Sequence, residues 1–220
     1  MGARQFVVIG LGNFGFSVAT NLYRLGNEVL AIDASEELVQ EISDKVTHAV
    51  RADATDENSL RSLGIRNFDV AIVSIGSDIQ SSIMVTLLVK EMGVKYVIAK
   101  AQNELHAKVL YKIGADRVVF PERDMGVRVA HNLFSTNVLD FVELSPDYSL
   151  VEVAALPQWV GKTLRELDMR AQFGINVMAI KLGNDINISP SADDVIAEGD
   201  GLVVIGGTEE LDKLEKSRQE

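Results

Sequence analysis

The sequence has no cysteine and no long apolar run. Without cysteine the chain forms neither disulfides nor thiolate nucleophiles nor thiolate zinc sites, which is compatible with a reducing cytoplasm. No apolar run reaches the roughly 18 residues that a membrane-spanning helix needs. The short run near the N-terminus leads into a glycine motif, so we expect no signal peptide. Action at a membrane is therefore expected to depend on a partner, without direct insertion.

Positive charge is also scarce, because 21 Lys and Arg residues face 32 Asp and Glu residues and the formal net charge is −11. Non-specific binding to DNA, RNA or an anionic membrane surface needs clustered Lys and Arg. We therefore expect no nucleic-acid partner. The 220 residues, of which 47% are apolar, suffice for one large domain or two modest ones with a proper core.

A short apolar strand at residues 6–9 runs into the glycine-rich sequence GLGNFG. Gly10 allows a sharp turn off the strand, Gly12 places no Cβ between backbone and pyrophosphate, and Gly15 lets the following helix lie close to the strand. The first N–H groups of that helix, at residues 13–16, then face the anion. The pattern predicts a nucleotide site.

A second predicted strand, residues 28–32, ends in Asp33. In dinucleotide-binding folds a carboxylate roughly 20 residues beyond the glycines binds the ribose hydroxyls. A carboxylate would also repel a 2′-phosphate, which argues against NADP. Alternatively, Asp33 merely caps the next helix, although Ser35 can serve as that cap instead.

Strand and helix patterns alternate six times before Pro121, and the apolar run at residues 70–75 is typical of a parallel strand covered on both faces. We predict an α/β fold, with a Rossmann-type doubly wound six-stranded parallel sheet in a domain of residues 1–139 that ends in a crossover helix. The strands after it are shorter and mixed, and they include one hairpin. Residues 140–220 are predicted to form a second, smaller α+β domain.

Four further segments accompany the glycine motif: ADATDENSL at residues 52–60, SIGSDIQSS at 74–82, AKAQN at 99–103 and IGADRVVFPERDMG at 113–126. With them the sequence resembles the regulator-of-potassium-conductance family, in particular the cytosolic subunits of Ktr/Trk-type potassium transporters. The resemblance covers nearly the whole chain, since residues 151–206 resemble the C-terminal ligand-binding domain of that family.

The resemblance implies a regulatory subunit without catalytic turnover. It implies an adenine nucleotide in the first domain, typically ATP exchanging with ADP, and self-association as dimers into a ring, for which an octamer is expected and a smaller oligomer stays open. The ring would act in the cytoplasm, at the inner face of the cell membrane, and gate a potassium channel or transporter subunit. Nucleotide exchange controls such a ring only if ATP and ADP contact its two states differently.

The resemblance also assigns roles to individual residues. Those assigned to the nucleotide are Gly10, Gly12, Asn13, Phe14 and Gly15 around the phosphates, Asp33 at the ribose, Asp53 and Ala54 at the adenine, and Lys100 at a terminal phosphate. Glu122 corresponds to an acidic residue that helps to bind a divalent cation, Mg²⁺ or Ca²⁺, between nucleotides of neighbouring subunits. Carboxylate oxygen suits such a cation.

Asn13 departs from the family pattern, because Arg is common there and can bind a γ-phosphate through two hydrogen bonds. NAD(H), AMP and ADP therefore stay open beside ATP. In the second domain the resemblance implies cyclic di-AMP between two copies, with Arg170, Asn176 and Pro190 near the cleft. Alternatively, Arg170 is a solvated helix residue and Asn176 a turn residue.

Two other functions remain open at the level of sequence. An NAD-dependent oxidoreductase would use the first domain for its cofactor and the second for its substrate. The second domain contains no histidine or cysteine and has only about 75 residues, which makes it a poor substrate domain. A free-standing nucleotide sensor would differ from a gating subunit only in its partner.

Overall fold

The computed structural model describes residues 4–76, 78–134, 138–145, 147–183 and 185–216. The chain divides into two compact units, Met1–Glu122 and Arg123–Glu220. None of the helices in these described ranges combines the length and hydrophobicity that a bilayer crossing requires. The predicted domain boundary after residue 139 stays a prediction.

The first unit alternates strands and helices. Its strands are β1 Gln5–Ile9, β2 Glu28–Asp33, β3 His48–Arg51, β4 Val70–Val73, β5 Tyr96–Lys100 and β6 Arg117–Val119, and its helices are α1 Asn13–Arg24, α2 Glu36–Ile42, α3 Glu57–Ser62, α4 Ile79–Glu91 and α5 Glu104–Lys112, with a short 3-10 helix at Ile65–Asn67. Helix α6, Pro121–Phe134, begins at the end of this unit and continues into the second.

The six strands pair in the order β3-β2-β1-β4-β5-β6, and every pair is parallel. This arrangement confirms the predicted doubly wound sheet. Strand β1 lies between β2 and β4, so the strand order reverses beside its carboxyl end. Ligands in such sheets bind in the crevice at that reversal, which is where the glycine motif begins.

Both faces of the sheet are covered by apolar packing. Along β1, Val7 and Ile9 belong to one buried cluster, whereas Val8 belongs to the other. All four residues of β4 are buried, as expected for a central parallel strand. Burying each valine or isoleucine side chain among them contributes roughly 1.5–3 kcal/mol, so the carboxyl ends of β1 and β4 are firmly held by the core.

Side-chain caps fix the residues at which helices begin along the carboxyl edge of the sheet. Asp56, Asp78 and Asn103 accept hydrogen bonds from N–H groups in the first turns of α3, α4 and α5. Helix α6, the predicted crossover helix, begins at Pro121, and proline is well accepted at the first position of a helix.

The second unit is built on an antiparallel sheet in the order β10-β9-β11-β8-β7, which confirms the smaller α+β domain. Its strands are β7 Val138–Ser145, β8 Tyr148–Ala154, β9 Asn176–Leu182, β10 Asp185–Asn187 and β11 Gly201–Gly207, and its helices are α7 Leu164–Leu167, α8 Met169–Phe173 and α9 Thr208–Lys216. Trp159, Ile175 and Leu202 belong to its buried core. Helix α8 was not expected from the sequence; Asp168, at φ 37°, caps it by accepting from the Ala171 N–H.

Candidate functional site

A cavity of about 480 Å³ opens at the carboxyl edge of the parallel sheet, beside the ends of β1 and β4. Its size is typical of a small-molecule site. It is lined by Ile9, Gly10, Gly12, Asn13, Phe14, Ile32, Asp33, Ala34, Leu38, Ala52, Asp53, Ala54, Thr55, Ser74, Ile75, Gly76, Asp78, Ser81, Lys100 and Glu122. Every residue predicted from the first domain lines this cavity except Gly15.

Gly10 and Gly12 shape the end of the cavity next to α1. Gly10 has φ 94°, a conformation that favours glycine, and an added Cβ would lie 3.0 Å from the backbone nitrogen of Ile75. At Gly12 an added Cβ would meet no atom within 4 Å. No side chain caps the N-terminus of α1, and its first turn has no acidic residue. The space above Gly12 therefore suits an anion that binds helix N–H groups.

Gly15 is needed for packing rather than for lining the cavity. An added Cβ at Gly15 would lie 1.9 Å from the carbonyl oxygen of Gly10 and 2.6 Å from Oγ of Ser74. Helix α1 can therefore approach the sheet only because this position has no side chain. Its effect on a bound phosphate is indirect, through the position of the helix.

Asp33 is held in place by two backbone donors. Its Oδ2 accepts from the N–H of Leu11 at 2.6 Å, and its Oδ1 accepts from the N–H of Ser35 at 2.8 Å. Ser35, in turn, caps α2 by accepting from the N–H of Leu38. Capping is thus the task of Ser35, and the Asp33 carboxylate lies at the cavity with a second lone pair on each oxygen for ribose hydroxyls.

Asp53 and Ala54 lie at the β3 side of the cavity. Oδ1 of Asp53 accepts from the N–H of Thr55 at 2.9 Å and from its Oγ1 at 2.6 Å, and these hydrogen bonds lower the pKa of the Asp53 carboxyl. Ala54 is buried, and Leu38 and Ala52 complete an apolar wall nearby. Apolar faces beside one fixed polar group are suited to a flat base such as adenine.

Lys100 and Glu122 form an ion pair between Nζ and Oε1 at the other end of the cavity. The Lys100 side chain is 14% exposed, whereas that of Glu122 is 71% exposed. The hydrogen bond from Lys100 lowers the pKa of the Glu122 carboxyl. Gly76 makes room for the ammonium, because an added Cβ would lie 3.1 Å from Nζ.

The three residues predicted from the second domain lie on different elements of the second unit. Arg170 is exposed on α8, Asn176 is exposed at the start of β9, and Pro190 is half-buried after β10. A separate cavity in this unit is lined by Ile180, Leu182, Asp185, Ile186, Asn187, Asp194 and Val195 instead. The assignment to cyclic di-AMP between two copies stays a prediction.

Comparison with known proteins finds a matching domain family for each of the two units. The TrkA-N domain model matches residues 6–121, and the TrkA-C domain model matches residues 149–218. Ktr system potassium uptake protein C of Bacillus subtilis is 51% identical, over 97% of this chain and 96% of its own length. The chain belongs to the TrkA-type family of Ktr potassium uptake proteins. Protein A of the same system is 48% identical, over 96% of both chains.

Among solved structures, the GsuK channel bound to NAD matches this TrkA-type chain with a TM-score of 0.67 and 18% identity. The match covers 97% of this chain and 39% of the channel subunit. At this identity the likeness shows a shared fold alone. The two proteins share both the parallel sheet and the smaller second domain.

The predicted cation at Glu122 finds little support in this member of the TrkA-type family. Within the described part of the chain, no group of three or more His, Asp and Glu residues could hold a metal ion, and Glu122 is paired with Lys100 instead. A cation at this place would need most of its ligands from elsewhere, such as phosphate oxygens. Cation binding therefore stays a prediction.

Several cavity residues were not assigned from the sequence. Leu38, Ser74 and Gly76 line the cavity beside the predicted residues. Ser74 and Gly76 directly follow β4, the strand that pairs with β1 at the reversal of strand order. Their position after a strand next to the glycine motif is the signal that identifies them. Leu38 reaches the cavity from α2, and no local pattern distinguishes it from the other apolar residues of that helix.

Proposed function

We propose that the protein is a non-catalytic subunit that binds an adenine nucleotide and regulates a membrane potassium transporter. The proposal rests above all on the cavity at the strand reversal. It combines open space above Gly12 with the fixed carboxylate of Asp33 and the apolar wall beside Ala54. Pyrophosphate, ribose and adenine fit these three parts in that order.

The chemistry of the cavity supports binding without turnover. Of its lining residues none is a histidine, and the carboxylates are already engaged: Asp33 with backbone N–H groups, Asp53 with Thr55, and Asp78 with Gln80 and Ser81. A general acid or base must lie within hydrogen-bond reach of the substrate atom whose proton is transferred, and its pKa must lie near the working pH. No lining residue is arranged for that task, so we do not favour the oxidoreductase alternative.

ATP and ADP are the ligands that we propose first. Lys100 lies at the end of the cavity remote from Asp33 and supplies a cation for an outer phosphate. NAD(H) and AMP remain alternatives because Asn13 is a neutral hydrogen-bond donor. A charged side chain at this position would instead favour a ligand with a γ-phosphate. Asp33 opposes a 2′-phosphate and therefore NADP.

The potassium partner is inferred from the family. The two Bacillus subtilis relatives match along nearly their full length and are potassium uptake proteins by name. We propose a ring of several copies bound to a membrane subunit at the inner face of the cell membrane. Exposed apolar side chains on the neighbouring helices α4 and α5, such as Met84 and Leu105, are consistent with self-association.

The proposal predicts nucleotide-dependent ion flux. Rb⁺ uptake into vesicles that contain a Ktr membrane subunit should require this chain and should differ at least about threefold between ATP and ADP, since a ligand shifts a gate only through its differential affinity for the two states. Vesicles without the chain serve as control. Equal flux with and without the chain would refute the regulatory role, and sustained NADH oxidation by the purified chain would favour the oxidoreductase.

Asn13 provides a test of nucleotide selectivity. It is exposed and lines the cavity next to Gly12. Replacing Asn13 with Arg should raise the ratio of ATP affinity to ADP affinity by roughly tenfold, because a guanidinium forms stronger, charge-assisted hydrogen bonds with a γ-phosphate. Titration calorimetry with both nucleotides measures the ratio, and Asn13→Gln is the neutral control. An unchanged ratio would show that position 13 does not contact the γ-phosphate.

A further inference from the structure

The ion pair between Lys100 and Glu122 joins two elements that are far apart in sequence. Lys100 is the last residue of β5, and Glu122 lies in the first turn of α6. Both line the cavity that we assign to the nucleotide. The ammonium of Lys100, on a side chain that is only 14% exposed, therefore has a protein carboxylate as its partner.

The ammonium of Lys100 also has a neighbour in the segment that follows β4. Its Nζ lies under Gly76, where even a Cβ would come within 3.1 Å. The Gly76 carbonyl in turn accepts a hydrogen bond from Nε2 of Gln102, which anchors this loop to the segment after β5. Since Lys100 and Glu122 both line the cavity, an outer phosphate bound there would contest the ammonium that Glu122 holds.

We infer that the Lys100–Glu122 ion pair is an autoinhibitory contact that the outer phosphate of the nucleotide displaces. This inference rests on the proposed function of the same cavity. A terminal phosphate carries more negative charge than a carboxylate and offers three acceptor oxygens. Mutually exclusive pairing means that nucleotide binding includes the cost of separating Glu122 from Lys100.

The displaced residue lies where the chain leaves the first unit. Glu122 is the last residue of that unit, and α6 continues through Arg123 into the second. When phosphate takes Lys100, the first turn of α6 loses its ionic tie to β5. The presence of an outer phosphate is thereby communicated to the helix that connects the two units, whereas adenosine leaves the tie intact.

Removing the competing carboxylate tests the inference. In buffer with EDTA, so that no divalent cation links Glu122 to phosphate, Glu122→Gln should raise the affinity for ADP and ATP by roughly threefold to tenfold. The affinity for adenosine should not change. In the Lys100→Met background the added Glu122→Gln change should have no effect on ADP affinity, because the contested ammonium is gone.

The matched control is Asp124→Asn. It removes the same charge from the same turn of α6 at a carboxylate that pairs with its neighbour Arg123 and does not line the cavity. Titration calorimetry with the full-length protein provides the affinities. Amide exchange supplies a second readout, and residues 125–127, whose N–H groups bond to carbonyls in the first turn of α6, should exchange faster with ADP bound than with adenosine bound.

The outcomes separate this inference from the proposed function. If wild-type protein binds ADP but Glu122→Gln leaves or lowers that affinity in EDTA, the autoinhibitory contact is refuted and the nucleotide site stands. An equal gain in Asp124→Asn would also refute it, because general charge would then be the cause. If the wild type binds neither ADP nor ATP, both the site and the contact are overturned.

Discussion

A Gly12→Asp variant is expected to fold normally and to bind ADP and ATP at least roughly 100-fold more weakly than the wild type. The new carboxylate would lie where we place the pyrophosphate. Two negatively charged groups in the same space repel each other strongly. Folding should be preserved because a Cβ at this position meets no atom within 4 Å and the backbone φ is −60°. Aspartate is, moreover, a better helix cap than glycine.

Two measurements on Gly12→Asp separate binding from stability. Titration calorimetry gives the affinity, and thermal unfolding without ligand should give a free energy of unfolding within about 1 kcal/mol of the wild type. Gly12→Ser is the control, since it supplies a similar cap without charge and should lose less affinity. Unchanged ADP affinity in Gly12→Asp would show that the phosphates do not bind at this turn.

Gly15→Ala, in contrast, should act first on stability and lower the free energy of unfolding by about 3 kcal/mol. Its Cβ would fall 1.9 Å from the carbonyl oxygen of Gly10 and 2.6 Å from Oγ of Ser74. Neither the backbone oxygen nor the buried strand end can move aside at low cost. Helix α1 would have to shift away from the sheet, so nucleotide affinity should fall as a consequence.

The control for this prediction is Gly126→Ala, at another glycine within a helix. An added Cβ there meets nothing within 4 Å, so alanine should stabilise by roughly 0.5–1 kcal/mol through its higher helix propensity. Calorimetric unfolding of both variants gives the comparison. A Gly15→Ala protein as stable as the wild type would mean that α1 does not pack as closely on β1 and β4 as the structure indicates.

The sheet could be predicted because its signals are local. Residues 70–75 form an apolar run of strand length, and glycines such as Gly64 and Gly114 mark the ends of elements in the order that a doubly wound fold requires. Helix α8 was missed because it is only five residues long and its N-terminal cap is Asp168, a non-glycine residue with positive φ. Such a short helix has no periodicity to detect.

For the candidate site, the sequence predicted which residues are present but not which groups they form hydrogen bonds with. The motif indicated Asp33 as a ribose ligand and left capping open; the structure assigns capping to Ser35 and ties Asp33 to the N–H of Leu11. The resemblance assigned both Gly12 and Gly15 to the phosphates, whereas the motif gave Gly15 a packing role, and of the two only Gly12 faces open space. That difference depends on how closely α1 packs against the sheet.

The amino-acid sequence by itself determined the doubly wound sheet, the smaller second domain and the place of the cavity, because these follow from local periodicity, turn residues and the rule that ligands bind at the strand reversal. Tertiary structure alone decided that Lys100 pairs with Glu122 and that Asp33 accepts a hydrogen bond from the N–H of Leu11. Both depend on side chains and backbone from distant segments meeting in one place. Local pattern cannot specify such distances, since they are set by how the helices pack on the sheet.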